Sequence, residues 1–130
     1  IDYMPGQNDD IDKGGTLRLG SYPCEIQKGT GMEKCYGTNH INERHRHRYE
    51  FNNEYYTEFV ENDFLPVGKN PETDLVEILE HKQHPYYIGV QFHPEYKSTV
   101  ASPHPLFISF IEAALSNKQN DLLNATREKI

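Results

Sequence analysis

Gly89-Val90-Gln91-Phe92-His93-Pro94-Glu95 is the stretch on which the reading of this chain turns. From Tyr87 to Phe92 the residues alternate, with Ile88, Val90 and Phe92 on one face and Tyr87, Gly89 and Gln91 on the other, which is the period of a strand. That strand ends in a histidine, with a carboxylate two residues further on. In open α/β sheets reactive groups gather just past the carboxyl ends of strands, where His93 would sit. A histidine acting as a base near neutral pH needs an oriented ring. Glu95 can accept a hydrogen bond from one ring nitrogen while the other faces a nucleophile. Taken alone, a His-x-Glu pair is also what an ordinary hydrogen-bonded loop contains, so the surrounding sequence has to decide.

Upstream, Leu75 to Leu79 is a second compact β-rich run, and both runs read as strands in the interior of a sheet. Tyr56, Phe59 and Val60 fall at i, i+3, i+4 within Asn53 to Glu61, the spacing of a short amphipathic helix that Asn52 or Asn53 can cap. Between His45 and Phe51 the period is two: His45, His47, Tyr49 and Phe51 face one way and Arg46, Arg48 and Glu50 the other. Thr16 to Gly20 and Tyr22 to Gln27 are strand-like and could form a hairpin through Gly20-Ser21, and Gly29 to Gly31 then breaks the pattern. Ile1 to Gly15 is rich in Asp, Asn, Gly and Pro and reads as a loop, with Gly14 and Gly15 providing a tight turn. No initiator methionine is present, so the chain is expected to begin inside a longer protein. Downstream, Ser102-Pro103 is a good start for a helix with Phe107, Phe110, Ile111, Ala114 and Leu115 as its buried stripe. Beyond Ser116 the sequence is polar and reads as a frayed tail or a helix in need of a partner. The expected division is therefore a domain piece over 1–116 and a polar tail over 117–130.

The 130 residues suffice for one domain or a large piece of one, and nine tyrosines and six phenylalanines supply more aromatic surface than disordered chains carry. A net charge of -7 opposes binding to polyanions, so no nucleic-acid and no membrane partner is expected. No run of about 18 apolar residues occurs, and the acidic N-terminal stretch is unlike a signal peptide. Two cysteines, Cys24 and Cys35, without a Cys-x-x-Cys pair, suit a reducing, cytoplasmic setting better than a disulfide framework.

Four segments in order along the chain narrow the reading. Phe92-His93-Pro94-Glu95 resembles the strand-end motif of class I glutamine amidotransferases, in which the histidine and glutamate complete a Cys-His-Glu triad. Read with Gly14-Gly15-Thr16-Leu17-Arg18-Leu19-Gly20, Glu43-Arg44-His45-Arg46-His47-Arg48-Tyr49-Glu50 and His104-Pro105-Leu106-Phe107, the chain resembles the glutaminase domains of the CTP synthase family over roughly Ile1 to Leu115. The resemblance implies an α/β fold, the C-terminal part of a mostly parallel sheet sandwiched by helices. It implies His93 and Glu95 as catalytic residues and Arg48 as the arginine that binds L-glutamine, whose planar guanidinium suits an α-carboxylate. Arg44 and Arg46, with His45 and His47, would support the site from behind or contact a synthase domain or a nucleotide. The nucleophile of the family is a cysteine on a Gly-rich elbow, and neither Cys24 nor Cys35 has the flanking glycines such a turn requires. It is therefore expected in polypeptide before Ile1, together with the first half of the glutaminase domain and the synthase domain. That synthase domain would use ATP and Mg2+ to aminate UTP to CTP in pyrimidine biosynthesis. The full-length protein is expected to be a homo-oligomer, and this piece alone is expected to be inactive and to carry no cofactor.

Two other readings compete. His93, Glu95 and His104 could ligate a metal in a hydrolase, although their spacing matches no common zinc pattern. The strip from Arg44 to Tyr49 mixes basic and aromatic residues as single-strand nucleic-acid surfaces do, though few cations stand in an acidic chain.

Overall fold

The computed structural model describes residues 1–3 and 18–129, so the expected loop over Ile1 to Gly15, the Gly14-Gly15 turn and Thr16-Leu17 lie almost wholly outside the described residues. Among the described residues seven strands, three α-helices and two 3-10 turns follow one another: β1 (Asp2–Tyr3), β2 (Arg18–Ile26), α1 (Gly31–Tyr36), β3 (His40–His47), β4 (Tyr49–Glu50), a 3-10 turn (Asn53–Tyr55), α2 (Tyr56–Glu61), β5 (Phe64–Lys69), β6 (Val76–His81), β7 (Ile88–Val90), a second 3-10 turn (Pro94–Lys97) and α3 (Pro105–Arg127). Five strands form one sheet in the order β3-β2-β5-β6-β7, and β1 pairs with β4. Every pairing among these strands is antiparallel, so the parallel part expected of the sheet is not formed by these strands among themselves.

The expected hairpin at Gly20-Ser21 is not formed. β2 passes through both residues as one strand, with Gly20 opposite His45 and Ser21 opposite Arg44. Gly20 has a φ of 105°, a conformation glycine adopts without the Cβ clash other residues would meet, so it bends the strand rather than reversing it. The alternation expected from His45 onward holds only as far as His47. Along β3, Ile41, Glu43 and His45 are buried and Asn42, Arg44 and Arg46 exposed. At Arg48, between β3 and β4, the phase inverts: Arg48 and Glu50 are buried and Tyr49 is exposed. β6 is an interior strand as expected, whereas β7 lies at the edge of the described sheet.

Short helices follow their caps. Thr30 Oγ1 accepts from Glu33 N at 3.3 Å, and Glu80 Oε1 and Oε2 accept from Gly31 N and Met32 N at 3.1 Å each, so the first amides of α1 are satisfied by its cap and by a carboxylate of β6. Gly37 ends it in the left-handed conformation, with φ 72°. The break expected at Gly29 to Gly31 is thus the lead-in to a helix that composition alone did not suggest. The helix expected over Asn53 to Glu61 is present as a 3-10 turn running into α2, capped by Asn52 Oδ1, which accepts from Glu54 N at 3.0 Å.

α3 begins two residues later than Ser102-Pro103 suggests. Its cap is His104, whose Nδ1 accepts from Leu106 N at 3.1 Å, and Pro105 occupies the first helical position. The helix runs to Arg127 without a break at position 116. Its expected buried stripe is exposed: Phe107, Phe110, Ile111 and Leu115 all face outward, and Leu106 is the residue it buries. Among the described residues no helix is long and apolar enough to cross a membrane.

The core collects Cys24 and Ile26 from β2, Met32 from α1, Ile41 from β3, Val67 from β5, Ile78 from β6, Phe92 from the strand end and Leu106 from α3. At its centre Gly68 of β5 lies under Ile78: a Cβ there would stand 2.7 Å from both Cγ1 and Cδ1 of Ile78. Gly68→Ala should therefore cost about 1–3 kcal/mol, the range for overpacking a filled core. Denaturant titration is the measurement, and an unchanged midpoint would mean that Ile78 repacks without cost.

Candidate active site

His93 and Glu95 sit where β7 gives way to the 3-10 turn Pro94–Lys97. Proline at the first position of that turn loses no amide bond and fixes the chain direction just after the histidine. His93 N donates to the Arg44 carbonyl at 2.9 Å, tying the turn to β3. His93 Nδ1 donates to Glu95 Oε1 at 2.7 Å, which leaves Nε2 as the lone-pair nitrogen of the neutral ring. This bond holds the Glu95 carboxyl below its usual range. The Tyr96 ring stacks on the imidazole, with centroids 5.0 Å apart and planes 14° from parallel. Both members of the pair remain partly exposed, so a ligand can reach the ring.

Beneath the rim lies a buried polar cluster. Arg18 Nη1 donates to Glu77 Oε1 at 2.5 Å, and the guanidinium also lies 4.2 Å from the centroid of the Tyr22 ring. His45 makes an edge contact with Phe92 at 5.9 Å between centroids, so it supports the residue immediately before His93. The hydrogen bonds fix the tautomers of two histidines. The Tyr49 carbonyl can only accept, so His47 Nδ1 donates to it at 2.9 Å, and His47 Nε2 accepts from His45 Nδ1 at 2.7 Å. His45 Nε2 is then a buried lone pair with no hydrogen-bond partner among the described residues. Burial first, then the charges of Arg18, His47 and His93, push the His45 imidazole down to about 3, and burial likewise lowers His47. Burial pushes the Glu77 carboxyl up, opposed by Arg18.

The residues expected to form a site are partly brought together. His93 and Glu95 meet, and Arg48 follows β3, the strand to which the backbone of His93 is bound. Arg48 is buried, with its guanidinium carbon 6.0 Å from the centroid of the Tyr49 ring. The metal reading of His93, Glu95 and His104 does not hold. His104 spends Nε2 on Glu43 Oε1 at 2.8 Å and Nδ1 on Leu106 N, so it has no nitrogen to offer a metal. Among the described residues the group whose ligand atoms do converge is His45, His47 and Glu77. There the imidazoles are at hydrogen-bonding distance from each other and Arg18 already holds the carboxylate, an arrangement built around a cation that is part of the chain. The strip from Arg44 to Tyr49 is no continuous surface either, since His45 and Arg48 point inward.

The model of the family described as Glutamine amidotransferase class-I matches residues 6–113. The chain belongs to the class-I glutamine amidotransferases. A CTP synthase of Christiangramia forsetii is 56% identical over 114 residues, which is 88% of this chain and 21% of that protein. A CTP synthase of Chlorobium phaeobacteroides is 57% identical over 114 residues, 88% of this chain and 20% of that protein. The chain thus spans about a fifth of the length of the curated relatives it matches. Among solved structures, the glutaminase domain of Trypanosoma brucei CTPS with bound acivicin superposes with a TM-score of 0.73 at 34% identity, covering 82% of this chain and 43% of that one. The α/β fold is therefore that of an amidotransferase, and the antiparallel strands seen here are a part of it.

Neither cysteine of this amidotransferase chain resembles an activated thiol. Both are free. Burial, with Glu77 next in weight, pushes Cys24 up to about 12, and burial raises Cys35 as well. Sequence reading missed Tyr96, Glu43, Glu77 and Lys97. Tyr96 adjoins the His-x-Glu motif, and Glu43 stands two residues from Ile41 in strict alternation, so extending the strand upstream of His45 would have placed that carboxylate inside. Glu77 stands midway between Leu75 and Leu79 in a run read as an interior strand, which already implied a buried carboxylate, whereas Lys97 carries no comparable local signal. Because the folded state keeps His45 neutral while the unfolded chain protonates it near 6.5, its stabilising contribution is complete above that pH and is lost as pH falls towards about 3. Urea midpoints should decline over this window, and less steeply in His45→Gln; equal slopes would show that acid loss arises elsewhere.

Proposed function

We propose that this chain is the part of a CTP synthase glutaminase domain that carries the base and its orienting carboxylate. The observation that supports this most directly is the contact between His93 Nδ1 and Glu95 Oε1 at 2.7 Å, on an imidazole that stays partly exposed. In this reading polypeptide beyond this chain supplies a cysteine, and His93 Nε2 removes the thiol proton. The thiolate attacks the carboxamide carbon of L-glutamine, and the negative charge moves onto its oxygen. As the intermediate collapses the C–N bond breaks and His93 returns the proton to the departing ammonia. His93 then draws a proton from water, which attacks the thioester carbonyl; the C–S bond breaks, glutamate leaves and the thiol is restored. Glu95 fixes the tautomer and balances the positive charge that the ring acquires in each step. Arg48 pairs with the α-carboxylate of the bound glutamine. Ammonia passes to a synthase domain, where ATP and Mg2+ support its transfer to UTP; that chemistry takes place outside this chain.

Sequence similarity to CTP synthases supports this choice of acceptor, and the raised Cys24 and Cys35 thiols support an external nucleophile. In the full-length enzyme His93→Ala should lower glutamine-dependent CTP formation about 10²- to 10⁴-fold, the usual contribution of a general base, while formation from added ammonia persists. Equal loss with both nitrogen sources would point to a folding defect and count against the role. The isolated chain should release no glutamate from glutamine, and measurable glutaminase activity in it would overturn the external-cysteine reading.

A further inference from the structure

We infer that Glu43 is a positioning residue for the His93–Glu95 pair, acting through Lys97 and His104; this deepens the amidotransferase reading and rests on it. The Glu43 carboxylate is buried at 1% exposure. One oxygen serves three elements. Oε1 accepts from His104 Nε2 at 2.8 Å and from the Tyr36 hydroxyl at 3.3 Å, and stands 3.6 Å from Lys97 Nζ. The Nδ1 of His104 accepts from the Leu106 amide, so the proton of the neutral ring is on Nε2 and directed at Glu43.

These bonds close around the segment that bears the pair. The turn Pro94–Lys97 is pinned to β3 at both ends, before it by His93 N on the Arg44 carbonyl and at its end by Lys97 Nζ on the Asn42 carbonyl at 2.6 Å. Glu43, between those two strand residues, attracts the same ammonium. After the turn, Ser98 N donates to the Glu95 carbonyl at 3.3 Å and Ser98 Oγ accepts from His104 N at 3.0 Å. His104 returns to Glu43. The backbone of Glu95 is therefore held between two arms that both end on one buried carboxylate. Burying a carboxylate is costly unless it is paired, and Oε2 of Glu43 has no hydrogen-bond partner among the described residues. An apolar residue at 43 would avoid that cost but could hold neither Lys97 nor His104.

The test is steady-state kinetics of the complete enzyme with glutamine and with ammonia, for Glu43→Gln, Lys97→Met, both together, Lys97→Arg and His93→Ala. Glu43→Gln keeps an acceptor for His104 and removes the charge. Lys97 is half exposed, so Lys97→Met perturbs the turn with little risk to folding. Glu43→Gln and Lys97→Met should each lower glutamine-dependent kcat by about tenfold or more, as misplacement of a catalytic group by a fraction of an ångström does, with KM for glutamine and the ammonia-dependent rate held. The double variant should be no worse than the weaker single one, and Lys97→Arg should retain most of the activity. Glutamine-dependent kcat within about twofold of the parent in both single variants, with His93→Ala inactive, would overturn this inference and leave the dyad standing. Equal losses with glutamine and ammonia would assign Glu43 to folding alone and also overturn it. Full glutamine-dependent activity in His93→Ala would remove the reading beneath it.

Discussion

The antiparallel register between β2 and β3 is the constraint from which the site follows. Eight residue pairs, from Arg18 opposite His47 to Glu25 opposite His40, lock the two strands together. Because side chains alternate, a slip of one residue would exchange Glu43 and His45 for Arg44 and Arg46 on the buried face. The observed register turns two arginines to solvent and puts a carboxylate and an imidazole inside. It also presents the Arg44 carbonyl to His93 N and the Asn42 carbonyl to Lys97. The segment bearing His93 and Glu95 is thus aligned against a strand some fifty positions earlier in the chain.

The parts of the fold that were legible in the sequence are those decided locally. The helix over Asn53 to Glu61 follows from its cap and its spacing, and the strand before His93 from its alternation. The contact of His93 with Glu95 spans only two residues, and a proline between them leaves few alternatives. What escaped depends on partners distant in sequence. Gly20-Ser21 has the composition of a turn, but a ladder of eight paired positions outweighs a local preference for reversal. Ser102 is a good cap by type, yet His104 can cap α3 and bind Glu43 at once, and the helix starts where both are satisfied.

α3 shows the same distinction between pattern and burial. Phe107, Phe110, Ile111 and Leu115 form a helical stripe that the sequence displays plainly, and the structure leaves them exposed. A stripe records which face is fit for burial, whereas burial itself requires a surface opposite. The side of α3 that does pack faces α1, where Ser109 Oγ donates to Cys35 Sγ at 3.0 Å and the Pro105 carbonyl accepts from the same thiol at 3.4 Å. Small and polar residues make that close approach possible, and hydropathy gives them little weight.

Seven histidines are present, and hydrogen bonding separates the one suited to proton transfer from the rest. His104 has both nitrogens engaged, by Glu43 and by the Leu106 amide. His47 is spent between His45 and the Tyr49 carbonyl, and His45 is buried and driven strongly towards neutrality. His81 and His84 use Nδ1 to accept backbone amides in the loop between β6 and β7, the work of a cap. His40 lies near Glu25, but 3.6 Å is too long for an orienting hydrogen bond. His93 alone combines a short bond from Nδ1 to a carboxylate with a half-exposed ring. A base must be reachable, keep a lone pair on the nitrogen that its orienting bond leaves free and have a counter-charge for the proton it takes up, and among these seven rings only that arrangement meets all three requirements.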